Sequence, residues 1–210
     1  MKIYGHHMSM PANQVRLTAS AIGTDAEYVH VELARQEQRG EAFQAVNPFG
    51  KVPAIEDGDF RLSESNAISR YLACRDGQCG LYPDDIRLRA EIDQWMDYAA
   101  QHVRANIAKV LFNKVLAPMM GAPVDEGAMA EGGKLLASHL RPVEARLSEH
   151  AFLVGDRLTL AEPAMVAALD PLEMIAFDAS GFPNVTAWRE RQMGSDWYKR
   201  VHERYGAEGR

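Results

Sequence analysis

The sequence predicts an α/β domain over residues 1–78, a linker at 79–86 and an all-helical domain over 87–210. Three observations predict it. Short apolar runs of alternating pattern, separated by turn residues, fill the first third of the chain. Gly77, Gly80 and Pro83 then interrupt the pattern. Beyond them the apolar residues recur at helical spacing, and no convincing strand follows.

Taken in order, Lys2-Ile3-Tyr4-Gly5 reads as a short strand and His6 to Ser9 as a loop. Pro11 suits the first turn of the next helix. Val15, Leu17, Ala19, Ala21 and Ile22 can line its buried side, and Gly23 suits its C-cap. Tyr28 to Leu33 alternates as a second strand, and Gln36 to Glu41 is a polar loop. Val52-Pro53-Ala54-Ile55 is a third, apolar strand, and Asp57-Gly58 is a strong hairpin signal. Phe60 and Leu62 alternate along the returning strand. The chain then turns at Ser63-Glu64-Ser65 into Asn66 to Leu72, which has helical spacing, with Ser65 where the N-cap should be. The order β-α-β, then β-β-α, is that of a thioredoxin-like domain.

In the second domain, Arg87 to about Leu116 forms one long helical pattern with Ile92, Trp95, Met96, Ala99, Val103, Ile107, Val110 and Leu111 at core spacing. Ala117 to Glu126, with Pro118, Gly121 and Pro123, is expected to break it. A second long helix runs to about His150 and carries Pro142, which should kink it. Thr159-Leu160-Ala161-Glu162 is a capping box, with Leu158 before it as a staple residue and Pro163 making the turn irregular. Phe182 to Met193 and Asp196 to Tyr205 close the chain as short helices.

With 47% hydrophobic and 25% charged residues the chain is an ordinary globular one, long enough to bury a stable core. A net charge of −6 argues against nucleic acid or an anionic membrane as the main partner, and means that an anionic ligand needs a local capture site. No apolar run approaches the ~18 residues of a membrane span, and Met1-Lys2 leads straight into a strand with no signal-peptide pattern. Cys74 and Cys79 lack metal or redox spacing, and two cysteines in 210 residues point to a reducing cytoplasm.

The most informative stretch is Asn47 to Ile68, NPFGKVPAIEDGDFRLSESNAI. Pro53 at the head of a strand removes a ladder donor, so Val52 can pair with an extended peptide instead. A hydroxyl at a helix N-terminus, Ser65, is a ready carboxylate site. Together they describe a site for a small, anionic, peptide-like ligand. NPFG followed by VPA and an ESNAI helix start resembles the glutathione-binding half of cytosolic glutathione transferases, nearest to the plant phi class and theta-like bacterial members.

That resemblance implies a thioredoxin-like domain followed by an all-helical one, with glutathione as co-substrate, no metal, and a hydrophobic electrophile as the second substrate. Ser9, in KIYGHHMSMPANQV, falls on the catalytic serine, with Asn13 as a competing amide donor and Tyr4 as runner-up. Glu64 and Ser65 are assigned to the γ-glutamyl carboxylate and amine, and Val52 to the cysteinyl backbone. Lys51 is assigned to the glycyl carboxylate, joined by Arg39 or Gln38. The electrophile pocket is expected to draw on Met8, Met10, Phe112 and Met119 as soft apolar surface. A homodimer is implied, with Phe49 either in a pocket of the partner subunit or buried in its own domain. His6 and His7 have no third ligand at metal spacing along the chain, so they read as loop residues at the pocket mouth. The competing functions are a non-enzymatic interaction module of the same fold and a glutathione-dependent peroxidase or dehalogenase.

Overall fold

The computed structural model describes residues 1–77 and 80–208; Cys79, at the head of the expected linker, lies outside the described residues. The chain divides into two compact units, Met1–Arg89 with Met193–Arg210, and Ala90–Gln192.

The first unit is built on a four-stranded sheet of order β2-β1-β3-β4, with β1 at Lys2–Gly5, β2 at Glu27–His30, β3 at Ala54–Asp57 and β4 at Phe60–Ser63. The β1–β2 pair is parallel and the other two are antiparallel. Helices α1 (Met10–Ile22) and α3 (Ser65–Cys74) pack on one face, where Ile3, Val15, Ala19, Ile55, Ile68 and Leu72 form the core. On the other side Val31, Phe43 and Ala54 cluster with Tyr4 and Val52 around the short α2 (Glu41–Gln44). Alternation along the strands produces both layers: Ile3 faces one and Tyr4 the other.

Buried polar groups tie α1 to α3. Gln14 Nε2 donates to Asn66 Oδ1 at 2.8 Å, and Thr18 and Ser69 hydroxyls lie 3.2 Å apart with neither residue exposed. Gly23 closes α1 in the left-handed region at φ 75°, as expected. Strand boundaries shift from the sequence reading. The second strand ends at His30 because Glu32 turns to cap a 3₁₀ turn, accepting from Ala34 N–H at 3.1 Å. The third begins only at Ala54, after a cis Val52–Pro53 bond. The last helix, α10 (Asp196–Glu208), packs on α1, where Arg200 donates to the Ser20 carbonyl at 2.9 Å.

The second unit is helical. The first long helix runs through α4 (Ile86–Tyr98), a π-helical stretch Ala99–Arg104, α5 (Ala105–Leu111), a second π-helical stretch Phe112–Leu116 and α6 (Ala117–Met119). The expected break falls within Ala117–Glu126, but Pro118 does not start it: Pro118 sits in the first turn of α6, and the chain turns at Gly121, φ 64°. Helix α7 (Glu126–Glu149) contains Pro142 and crosses α5 at Gly132, where a Cβ would stand 3.1 Å from the Asn106 carbonyl. Every residue of α8 (Ala161–Leu169) is buried. Half of the expected capping box forms: Glu162 accepts from Thr159 N–H and hydroxyl, both at 2.8 Å, but Thr159 Oγ1 accepts from Ala161 N–H at 3.3 Å, and Leu160 takes the N-cap position with no side-chain capping bond. Helix α9 (Pro183–Met193) starts on the Glu144 carboxylate, which accepts from Asn184 and Val185 N–H. Among the described residues no helix is long and apolar enough to cross a membrane.

Candidate active site

Strand register assembles the site. Tyr4 near the end of β1 pairs with Ala54, the first residue of β3, and Ala54 pairs with Ser63, the last of β4. Gly5 pairs with His30, the last of β2. One end of the sheet therefore gathers the His6–Ser9 loop, the residues after His30, Lys51–Pro53 and Glu64–Ser65. Both α1 and α3 begin there, and the Gln14–Asn66 bond joins their first turns. Close packing depends on Gly5, where a Cβ would meet the Ala12 Cβ at 2.9 Å.

Ser9 is the N-cap of α1, in extended conformation, with its Oγ accepting from Ala12 N–H at 3.3 Å. A hydroxyl accepts through lone pairs and donates one proton, so capping leaves that proton for a ligand. The positive end of a 13-residue helix lies beneath it. The loop is pinned by Ser9 N–H to the His6 carbonyl at 2.9 Å and by Asn13 Nδ2 to the His7 carbonyl at 2.9 Å. Asn13 thus spends one amide proton on the loop it was expected to compete in.

Tyr4 is committed elsewhere. Its hydroxyl donates to Glu56 and its ring packs edge-on against Phe43. Burial, with that bond to Glu56, pushes the phenol up to about 12, and the same bond holds the Glu56 carboxyl below its usual range.

On the opposite rim, Asn47 organises the NPFG turn. With 1% of its surface exposed, it donates to the Lys51 carbonyl at 2.5 Å and accepts from Phe49 N–H at 3.1 Å. An Asn side chain folding back on its own turn is the signal that could have found it. The Gln38 carbonyl approaches Gly50, 3.2 Å from where a Cβ would stand, so the 36–40 segment borders Lys51. Gln38 Oε1 is buried with no protein donor, whereas Arg39 and Lys51 are exposed. The expected polar loop is two 3₁₀ turns, Leu33–Arg35 and Glu37–Arg39.

The N-cap of α3 is Glu64, one residue before the expected Ser65, and its side chain makes no capping bond. Glu64 takes φ 71° and ψ 114°, a region that non-glycine residues enter only under constraint. That turn leaves its carboxylate exposed and makes Ser65 the first, buried residue of the helix.

Among the apolar residues expected at the electrophile pocket, Met8, Phe112 and Met119 are exposed, but Met10 is 7% exposed and belongs to the interior. Phe49 is 68% exposed, which rules out burial in its own domain. His6 and His7 gain a neighbour that chain spacing concealed: register brings His30 beside them, the rings 4.4 Å (His6–His7) and 4.9 Å (His6–His30) apart by centroid. Burial, and then the neighbouring imidazoles, hold His6 and His7 below the usual histidine value.

The chain resembles known proteins along most of its length. The family model of the glutathione S-transferase N-terminal domain matches residues 1–74, and that of the C-terminal domain matches residues 107–196. A glutathione S-transferase of Hyoscyamus muticus is 35% identical over 90% of this chain and 91% of its own. Glutathione S-transferase F10 of Arabidopsis thaliana is 33% identical over 87% of each. The solved structure of glutathione S-transferase-I bound with lactoylglutathione superposes with a TM-score of 0.85 at 31% identity, covering 95% of this chain and 97% of the other.

Proposed function

The chain belongs to the glutathione S-transferase family, and from that premise we propose that it joins the glutathione thiol to small hydrophobic electrophiles, with Ser9 activating the sulfur. The single observation that carries this reading is the convergence of the Ser9 loop, the Val52–Pro53 edge and the α3 N-terminus at one end of the sheet.

A free thiol titrates near 8.5, so ~2 units of lowering requires about 2.7 kcal/mol of preferential stabilisation of the thiolate. A hydrogen bond to a charged group supplies about 1.5–3 kcal/mol and a helix N-terminus about 0.3–1 kcal/mol. Ser9 Oγ–H and α1 together cover the need. The thiolate then attacks the electrophilic carbon: a C–S bond forms, and either a leaving group departs with its electron pair or an added proton from solvent quenches the carbanion.

Binding follows the same geometry. Val52 pairs its backbone with the cysteinyl unit, Ser65 and the α3 N-terminus take the γ-glutamyl carboxylate, and the exposed Glu64 carboxylate takes the amine. Lys51 and Arg39 answer the glycyl carboxylate, and Gln38 Oε1 is a buried acceptor lacking a protein donor. The exposed Phe49 ring anchors a homodimer.

The test is a pH titration of thiolate absorbance with glutathione bound. An apparent pKa well under the free value is expected; binding with no shift would overturn thiol activation while leaving the family assignment intact.

A further inference from the structure

His6, His7 and His30 each offer one ring nitrogen, all within 4.8 Å of one another. The Glu32 carboxylate stands beside them, 3.7 Å from His6 Nε2 and 3.7 Å from His30 Nε2. We propose that these four side chains bind one borderline divalent transition-metal ion, of the zinc class, on the rim of the loop that carries Ser9.

The donor set selects the ion. Imidazole nitrogens with one carboxylate suit zinc, copper and nickel, whereas calcium and magnesium demand oxygen ligands. The geometry lies within reach. Zinc–nitrogen bonds of about 2.0–2.1 Å put tetrahedral ligands ~3.4 Å apart. The present nitrogens need a contraction of roughly 1.4 Å, which rotamer changes at the exposed His7 and His30 supply.

The backbone beneath is fixed. Gly5 and His30 are register partners, Val31 N–H donates to the Gly5 carbonyl at 2.8 Å, and both His6 and His7 carbonyls are held by hydrogen bonds. Ring stacking alone accounts for the His6–His7 contact, but it does not require a carboxylate facing two Nε2 atoms. Glu32 is itself oriented by Ala34 N–H on Oε1, as metal-binding carboxylates commonly are. One bond is given up. Met8 N–H donates to His6 Nδ1 at 3.1 Å, so ligation through Nε2 moves the ring proton to Nδ1 and turns the exposed Met8 N–H to water. A bound ion would tie the catalytic loop to the end of β2.

The experiment uses the full chain, stripped with a chelator and desalted, titrated with zinc chloride by calorimetry and followed in parallel by thermal melting. One saturable equivalent per chain and a higher Tm are expected. His30→Ala, at an exposed position, should weaken binding at least ~10-fold and abolish the Tm rise, and Glu32→Gln should weaken it about 10-fold. His139→Ala, in the second unit, should leave both readouts unchanged. The proposal fails if wild type shows no saturable equivalent, if His30→Ala binds as tightly as wild type, if the equivalent is lost with His139, or if magnesium chloride gives the same isotherm.

Discussion

Two serines at two helix N-termini divide the work by what else each one does. Ser9 already accepts from Ala12, so removing it costs a cap and, in the proposed mechanism, the thiol's donor as well. Ser9→Ala should raise the bound thiol's pKa by about 1–2 units, the equivalent of 1.5–3 kcal/mol, and lower kcat by a similar factor of roughly 10–100 at neutral pH. Because the variant's thiol titrates higher, turnover should recover as pH rises, while the lost cap takes about 0.5–2 kcal/mol from stability. In the proposed binding mode Ser65 takes the ligand's carboxylate rather than its sulfur, so Ser65→Ala should raise KM for glutathione and spare kcat. Steady-state pH profiles of both variants check this; equal losses in kcat and KM for both would sink the division of labour.

Elements were legible where their signals are local. Pro11 and Gly23 bracket α1, Asp57-Gly58 turns the hairpin, and Glu162 reaches back to Thr159 N–H as its spacing suggests. Signals that depend on contacts across the chain were not legible. His30 meets His6 only through a parallel register, and Tyr4 meets Glu56 only because the two strands pair. The α3 cap moved to Glu64 because a positive φ there has no propensity signature in a glutamate. Asn47 was hidden inside a motif read for its family resemblance and for Phe49. The buried Glu162 carboxyl in the first turn of α8 carries its own prediction. Burial raises the Glu162 carboxyl despite the bonds it accepts from Leu153 and Thr159. A raised folded pKa means that the stabilisation is full below the ordinary carboxylate range and drains as pH climbs through the folded value. Glu162→Gln sets an amide against one of those donors and should cost about 1–3 kcal/mol. The gap between wild type and variant, read from urea midpoints between about pH 4.5 and 8, should be widest at the acid end; a gap that grows with pH would contradict it.

At the scale of the whole molecule, Phe49 stands out because its turn is over-determined while its ring is not. Asn47 fixes the backbone on both sides of it, yet the ring itself is 68% exposed. A rigid turn that presents an aromatic side chain to solvent loses apolar burial for no gain within its own chain, and the proposed homodimer would use that pre-organised ring as an anchor. Aromatic anchors of this kind contribute at least ~2 kcal/mol to an interface, which corresponds to about 30-fold in Kd. Phe49→Ala should therefore shift a sedimentation-equilibrium profile from dimer towards monomer by that factor. Glutathione binding by the monomer should be little changed, because the variant keeps the Phe49 N–H that Asn47 holds and leaves Lys51 in place. A wild-type chain that sediments as a monomer, or a variant that dimerises as tightly as wild type, would remove Phe49 from the assembly and leave its exposure to be explained by another partner.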